Sequence, residues 1–334
     1  IAIFIPPLPG RRVAPVLSAI RTAARRAARH GVPVAAVIMA PGEPDAAPPA
    51  PGQARVPVYA TPEQAARALG HVVRHAARVH APPPLAQAPP GIAADDAAAV
   101  VSEALAAGRG WLEPGEVARV LGAYGIAPAP FEAAPTPAAA GRCAARLGGA
   151  VALKAIVPGL LHKSDAGAVR LGLQGAAAVE RAACAMRAAL VFAGREVEGF
   201  VVQQMAAPGV EMLVGLASDE HFGPVVACAA GGTAVELLGD VQVRLAPVAA
   251  AEAAEMVRAL RTFPLLDGYR GAPRTDVPAL EDVVVRVGAL AAAHPEIAEL
   301  DLDPVVVSPS GALVVDARIR VQRPPRRAPV IAAL

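Results

Sequence analysis

Proline and glycine punctuate this chain so densely that no apolar run stays intact for long. With 35 Pro and 30 Gly in 334 residues, every hydrophobic stretch is cut by one of them or by a charge. A helix crossing a bilayer needs about 18 uninterrupted apolar residues. The 54% hydrophobic composition therefore belongs to packed interiors, and no membrane segment is expected. Ile1-Ala2-Ile3-Phe4-Ile5 is too short for a secretory apolar region and lacks a preceding basic segment, so the expected location is cytoplasmic. The chain starts inside a strand pattern, which reads as a piece of a longer polypeptide.

The same punctuation divides the chain. Pro41-Gly42-Glu43-Pro44 through Pro51-Gly52 reads as a surface loop, and Ala81-Pro82-Pro83-Pro84 through Pro89-Pro90-Gly91 as a semi-rigid linker between two domains. Before the linker the pattern predicts strands at 1–5, 32–39 and 56–59 and helices near 11–30 and 61–79, the closing half of a parallel α/β unit. Thr61-Pro62-Glu63 opens the second helix with a cap and a first-turn proline. After the linker it predicts helices near 95–107, 113–124, 136–147, 175–192, 249–261 and 277–292. Strands are expected at 151–156, 168–173, 198–205, 210–217, 224–230, 299–302, 305–307 and 312–319. Strands and helices mixed in this order suit α+β subdomains around a cleft.

Charge and aromatic content exclude one class of partner. A net charge of +2 gives no general field for polyanions, and 3% aromatics supply too few stacking platforms for nucleic acid. Cys143, Cys184 and Cys228 fit neither a zinc spacing nor a disulfide framework, and read as small core residues in a reducing compartment.

The basic residues are more informative. Of the 31, all but Lys154 and Lys163 are arginine, and asparagine is absent, as a coding bias towards Ala, Arg, Gly and Pro would produce. The two remaining lysines stand nine residues apart. A strand lysine facing a cleft offers a compact point charge for a phosphate, and a following loop with Gly, Lys and Ser can fold over other phosphates. Gly159-Leu160-Leu161-His162-Lys163-Ser164-Asp165-Ala166-Gly167 is such a loop, although H-K-S-D alone would equally suit a polar surface turn. His162 could act there as acid, base or nucleophile. Downstream, Glu211 interrupts an apolar strand, where it must be paired or meet a ligand. Gly231-Gly232 would let backbone approach a ligand closely. Acids in Glu299-Leu300-Asp301-Leu302-Asp303-Pro304 and at Asp316 are hard oxygen ligands suited to Mg²⁺ held with phosphates, or ordinary strand-end acids.

Taken in order, L-K-A at 153–155, L-H-K-S-D-A-G at 161–167, V-E-M-L-V-G at 210–215, G-G-T-A-V-E at 231–236, Y-R-G-A-P at 269–273, E-L-D-L-D-P at 299–304 and V-D-A-R-I-R-V at 315–321 form an ensemble. It resembles the ATP-grasp domain of NDP-forming acyl-CoA synthetases, the β-subunit side of ADP-forming acetate–CoA ligase. The resemblance implies an α/β fold: an ATP-grasp domain of two α+β subdomains over 92–323. Before it would lie the end of a flavodoxin-like ligase-CoA domain over 1–80 and the linker at 81–91, with a tail from 324 to 334. It implies ATP/ADP and Mg²⁺ as cofactors, and CoA bound through domains outside this chain. Lys154, Lys163 and Ser164 would hold phosphates, His162 would carry the phosphoryl group, and Glu211, Gln204, Gly231 and Gly232 would adjoin the nucleotide. Asp303 and Asp316 would hold the metal. Implied partners are a CoA-binding domain, a first phosphohistidine domain, a small carboxylate and possible further copies in an oligomer.

Departures from the family are visible. Asp303 replaces the usual Asn, which the Asn-free composition explains while keeping an oxygen ligand. Gln204 stands where the hinge strand usually carries Glu, bearing on adenine or guanine preference. Ala168 and Ala229 replace glycines. A second reading is a ligand-sensing, non-synthetase module of the kind fused to protein lysine acetyltransferases, with Arg323-Pro324-Pro325-Arg326-Arg327 opening a fusion linker. A third is a carboxylate–amine ligase on the same fold, which would need no histidine carrier.

Overall fold

A computed structural model describes residues 2–5, 13–39, 55–80, 86–158, 166–232 and 239–323. The chain forms two compact units, Ile1–Pro83 and Pro84–Leu334. Among the described residues no helix is long and apolar enough to cross a membrane.

In the first unit β1 (Ala2–Ile5), β2 (Ala35–Ile38) and β3 (Val58–Tyr59) form a parallel sheet in that order. Parallel neighbours need a crossover, and α1 (Val13–Ala28) supplies the one between β1 and β2. It buries Leu17, Ile20 and Ala24, one helical stripe, against Ala36, Ile38 and Val56. α2 (Pro62–His80) starts as its sequence dictates. Thr61 Oγ1 accepts the Gln64 N–H at 3.4 Å, while Gln64 Oε1 accepts the Ala60 N–H at 3.2 Å.

The second unit contains two antiparallel sheets. α3 (Ala94–Ala106) and α4 (Pro114–Ala123) lead into β4 (Phe131–Ala134), α5 (Pro137–Leu147), β5 (Ala150–Ile156), β6 (Val169–Gln174), α6 (Ala176–Phe192) and β7 (Gly199–Gln204). These strands pair in the order β4-β7-β5-β6. Val151, Leu153 and Ala155 of β5 and Phe200 and Val202 of β7 point to α5 and α6 and form one core. The period of two then turns Lys154, Val201 and Gln203 to the other face. β4 escapes the sequence reading because Phe-Glu-Ala-Ala carries little β-propensity; its partner β7 defines it, with Phe131 opposite Gln203.

The larger sheet is built from β8 (Val210–Asp219), β9 (Gly223–Ala230), β10 (Val241–Leu245) and β11 (Ile297–Ser308), then β12 (Gly311–Val314) and β13 (Ala317–Val321). Met212, Val214 and Leu216 of β8 pack towards the helices in the largest core. Among the described residues this half carries α7 (Ala250–Arg258), the short α8 (Phe263–Leu266) and α9 (Val277–Ala293), and α3 and α4 pack into the same core. α9 buries Leu280, Val283, Val284, Val287, Leu290 and Ala291 at spacings of three and four. Its N-cap is Asp276, whose Oδ1 accepts the Ala279 N–H at 3.1 Å.

Two expectations change at β11. The separate strands expected at 299–302 and 305–307 are one strand, whose pairing with β8 shifts register between Leu302 and Val305. Pro304, which has no N–H to give a ladder, sits at that shift. Conversely, the strand expected at 312–319 is interrupted at Val315-Asp316, while β12 and β13 keep the same register against β11 on either side. β10 and α8 were not expected at all.

One polar pair is locked into the large core. Tyr124, at the end of α4, shares a 2.8 Å hydrogen bond with Nε2 of His294, just beyond α9, and both side chains are buried. Burial pushes the His294 imidazole down from its ordinary value, against a smaller opposing pull from Glu296. A base held below its unfolded pKa contributes stability above that pKa and loses it as pH falls through the folded one. Below about pH 6.5 the urea midpoint is expected to fall progressively. Tyr124→Phe should cost about 1 kcal/mol at neutral pH, and His294→Gln should flatten the acid limb.

Cys143 and Cys228 are buried as expected, but Cys184 is exposed. α6 turns Val179, Ala183, Met186 and Leu190 inward, and the position after Ala183 falls off that stripe. Burial, reinforced by the charge of Asp240, pushes the Cys228 thiol up to about 12, which makes it inert.

Candidate functional site

The open face of the smaller sheet meets the strand break of the larger one. Lys154 Nζ donates to the Val315 carbonyl at 3.0 Å and to Asp316 Oδ1 at 3.2 Å. The Lys154 side chain is 12% exposed, so its charge is held rather than solvated freely. Gln203 Nε2 donates to the same Val315 carbonyl at 2.9 Å, while its Oε1 is buried and has no partner among the described residues. These groups line a cavity of about 440 Å³ whose remaining wall is mainly apolar and includes Trp111, Val117, Leu121 and Phe131.

Asp303 lies opposite Asp316. The Asp303 N–H donates to the Asp316 carbonyl at 3.1 Å, and the Val315 N–H to the Pro304 carbonyl at 2.9 Å. These two bonds pin the break to β11. Asp303 is exposed on β11, yet partial desolvation by its neighbours and the charges of Asp301, Glu211 and Asp316 raise its carboxyl above the usual range, against Arg318. Asp301, two residues earlier on the same face, is raised by burial and by Glu299 and Asp316, with Arg318 opposing. Four carboxylates thus share one electrostatic neighbourhood, and a cation would relieve their repulsion. Among the described residues no three His, Cys, Asp or Glu side chains form a metal cage by themselves. A hard ion held by Asp303 and Asp316 would complete its shell with phosphate and water oxygens, as Mg²⁺ does. On donor chemistry the residues fit that ion.

Other expected positions fall differently. Glu211 is exposed on β8 rather than enclosed, opposite Val306 of β11. Gly231 and Gly232 do serve a close backbone approach, but to β8. The Gly231 N–H donates to the Glu211 carbonyl at 2.8 Å, and a Cβ on Gly231 would stand 2.7 Å from the Glu211 carbonyl carbon. Gly232 has φ +82°, and a Cβ there would meet Glu211 Oε2 at 3.0 Å. The glycine pair therefore sets where Glu211 can sit. Gln204 ends β7 with an exposed side chain and does not line the cavity, whereas its neighbour Gln203 does. Ala168, just before β6, and Ala229, in β9, are both buried. His162, Lys163 and Ser164 lie outside the described residues.

Sequence reasoning missed Gln203 and Trp111, and named Asp301 only as one of the acids of the 299–304 segment. The first was recoverable: Lys154 is paired with Val201 across β5 and β7, and the period of two puts Gln203, not Gln204, on that face.

The sequence profile of an ATP-grasp domain matches residues 103–321. The chain belongs to the ATP-grasp domain family. It is 40% identical over 204 residues to the ADP-forming acetate–CoA ligase I of Archaeoglobus fulgidus, a match covering 60% of this chain and 29% of that one. To the β subunit of ADP-forming acetate–CoA ligase I of Pyrococcus furiosus it is 35% identical over 225 residues, 66% of this chain and 95% of the subunit. The chain thus spans under a third of the first relative and nearly all of the second. A solved structure of Ca. Korarchaeum cryptofilum dinucleotide forming acetyl-coenzyme A synthetase 1, in complex with coenzyme A, Ca-AMPCP and HgCl+, matches with a TM-score of 0.64 at 34% identity. That match covers 67% of this chain and 99% of the other. Another structure of that enzyme, with coenzyme A and Mg-AMPPCP, has its phosphohistidine segment pointing towards the nucleotide binding site. An ATP-grasp domain is a nucleotide-binding domain, and the α+β pair of sheets described above is its frame.

Proposed function

We propose that this chain is the nucleotide-binding, phosphoryl-exchanging portion of an ADP-forming acyl-CoA synthetase. The complete enzyme would interconvert acyl-CoA, ADP and phosphate with carboxylate, CoA and ATP. The observation that carries this reading is the meeting of Lys154 with Val315-Asp316 at the break facing Asp303, inside an ATP-grasp match that extends over a whole β subunit.

In this reading the Lys154 ammonium turns from Asp316 to the nucleotide phosphates, and Lys163 and Ser164 cover them. Asp303 and Asp316 hold Mg²⁺, which when bound neutralises phosphate charge. His162 is the nucleophile: its ring nitrogen forms a bond to the γ-phosphorus, the bridging P–O bond breaks, and ADP leaves with that electron pair. Such a transfer needs positioning and charge neutralisation above all. Residues 1–80 would be the end of a flavodoxin-like ligase-CoA domain, 81–91 its linker and 324–334 a tail. CoA and the first phosphohistidine would come from partner domains or a partner subunit, in the cytoplasm.

Exchange between ATP and isotopically labelled ADP tests this, because both half-reactions run through His162 and need neither CoA nor acid. Label should enter ATP when the chain and Mg²⁺ are present. If Mg·ATP binds but no exchange occurs, the phosphoryl-carrier reading fails, and the ligand-sensing one, without turnover, takes its place.

A further inference from the structure

We propose that the cavity chooses its base at a single atom: the Oε1 of Gln203 accepts the exocyclic amino group of adenine, with Trp111 walling the ring. This deepens the nucleotide reading above and rests on it. Gln203 is 6% exposed, it lines the cavity, and its Oε1 has no hydrogen-bond partner among the described residues. A buried acceptor left unpaired is costly, so such an atom in a cavity wall points to a ligand donor.

The amide cannot turn round without loss. Its Nε2 is committed to the Val315 carbonyl, which can only accept, and Lys154 Nζ donates to that same oxygen. Flipping Gln203 would set two carbonyl oxygens against each other. The cavity therefore presents a fixed acceptor. Adenine carries an amino donor at C6, whereas guanine and hypoxanthine carry a carbonyl there, and two acceptors repel. One carbonyl, that of Val315, orients both the base-reading amide and the phosphate-reading lysine.

The ring itself needs an apolar slot. Trp111, the only tryptophan, is 44% exposed on the cavity wall, and Val117, Leu121 and Phe131 continue that wall. An indole beside a purine supplies stacking area indifferent to the substituent at C6. The two residues thus have separable signatures: Gln203 sets the ratio between bases, and Trp111 sets the affinity for both.

The test titrates the full chain with the Mg²⁺ complexes of ATP, inosine triphosphate and inorganic tripolyphosphate, reading heat and Trp111 fluorescence. The wild type should bind ATP at least about tenfold more tightly than inosine triphosphate, and saturating ATP should change the Trp111 emission. Gln203→Leu should bring that ratio below about threefold. Trp111→Leu should weaken both nucleotides in equal proportion. Equal wild-type affinities, a ratio unchanged in Gln203→Leu, or Trp111 emission unmoved by bound ATP would each overturn the assignment. Should Gln203→Leu fail to fold, the wild-type ratio and the Trp111→Leu variant decide it. Tripolyphosphate separates the two levels: if it binds while the bases are not discriminated, only the base assignment falls. If neither it nor ATP binds, the nucleotide reading falls as well.

Discussion

Lys154→Ala is expected to weaken Mg·ATP binding more than a hundredfold, a loss of about 3 kcal/mol, while leaving the fold intact. In the proposed reading the lysine would contribute a charge-assisted bond to phosphate, about 1.5–3 kcal/mol when part-buried. Its removal also leaves the Asp316 carboxylate facing incoming phosphate without the ammonium that now lies 3.2 Å away. Lys154→Arg should recover only part of the affinity. A planar guanidinium is bulkier than an ammonium and suits a bidentate site better than the narrow space between β5 and Val315. Calorimetry with Mg·ATP reads the effect, and a thermal midpoint within a few degrees of wild type separates it from unfolding.

His162→Ala should abolish phosphoryl exchange outright while changing Mg·ATP affinity by less than about threefold. With γ-labelled ATP the wild type should acquire a label stable in base and labile in acid, as an N–P bond requires, and the variant none. A full-activity variant would instead support a ligase that transfers phosphate without a histidine carrier. The contrast with Lys154 is diagnostic: in the proposed reading one residue would govern binding, the other only the step after it.

How legible all this was in the sequence varied with the physics involved. Helix ends were clear because caps are local. Thr61 Oγ1 accepts the Gln64 N–H at 3.4 Å before Pro62, as Thr61-Pro62-Glu63 announces. The alanine-rich β4 was invisible, since its identity comes from β7 and not from its own residues. The break at Val315-Asp316 was equally hidden: Val315-Asp316-Ala317 reads as continuous strand, and only its pairing with β11 across from Pro304 interrupts it. Lys154 and Asp316 were identified separately, 162 positions apart, and the structure joins them in one contact. The scarcity of lysine helped by drawing attention to Lys154, which the structure places part-buried between Val315 and Asp316. At Gln203-Gln204 a one-residue step along the strand moves the side chain to the other face, and of the two only Gln203 lines the cavity.

The central claim is that this chain holds Mg·ATP between β5 and the Val315-Asp316 break. Isothermal titration of the folded wild-type chain with Mg·ATP tests it most directly. The expected result is a saturable single-site isotherm that disappears without Mg²⁺ and in Lys154→Ala. A well-folded chain that gives no heat with Mg·ATP, or an isotherm indifferent to both magnesium and Lys154, would contradict it.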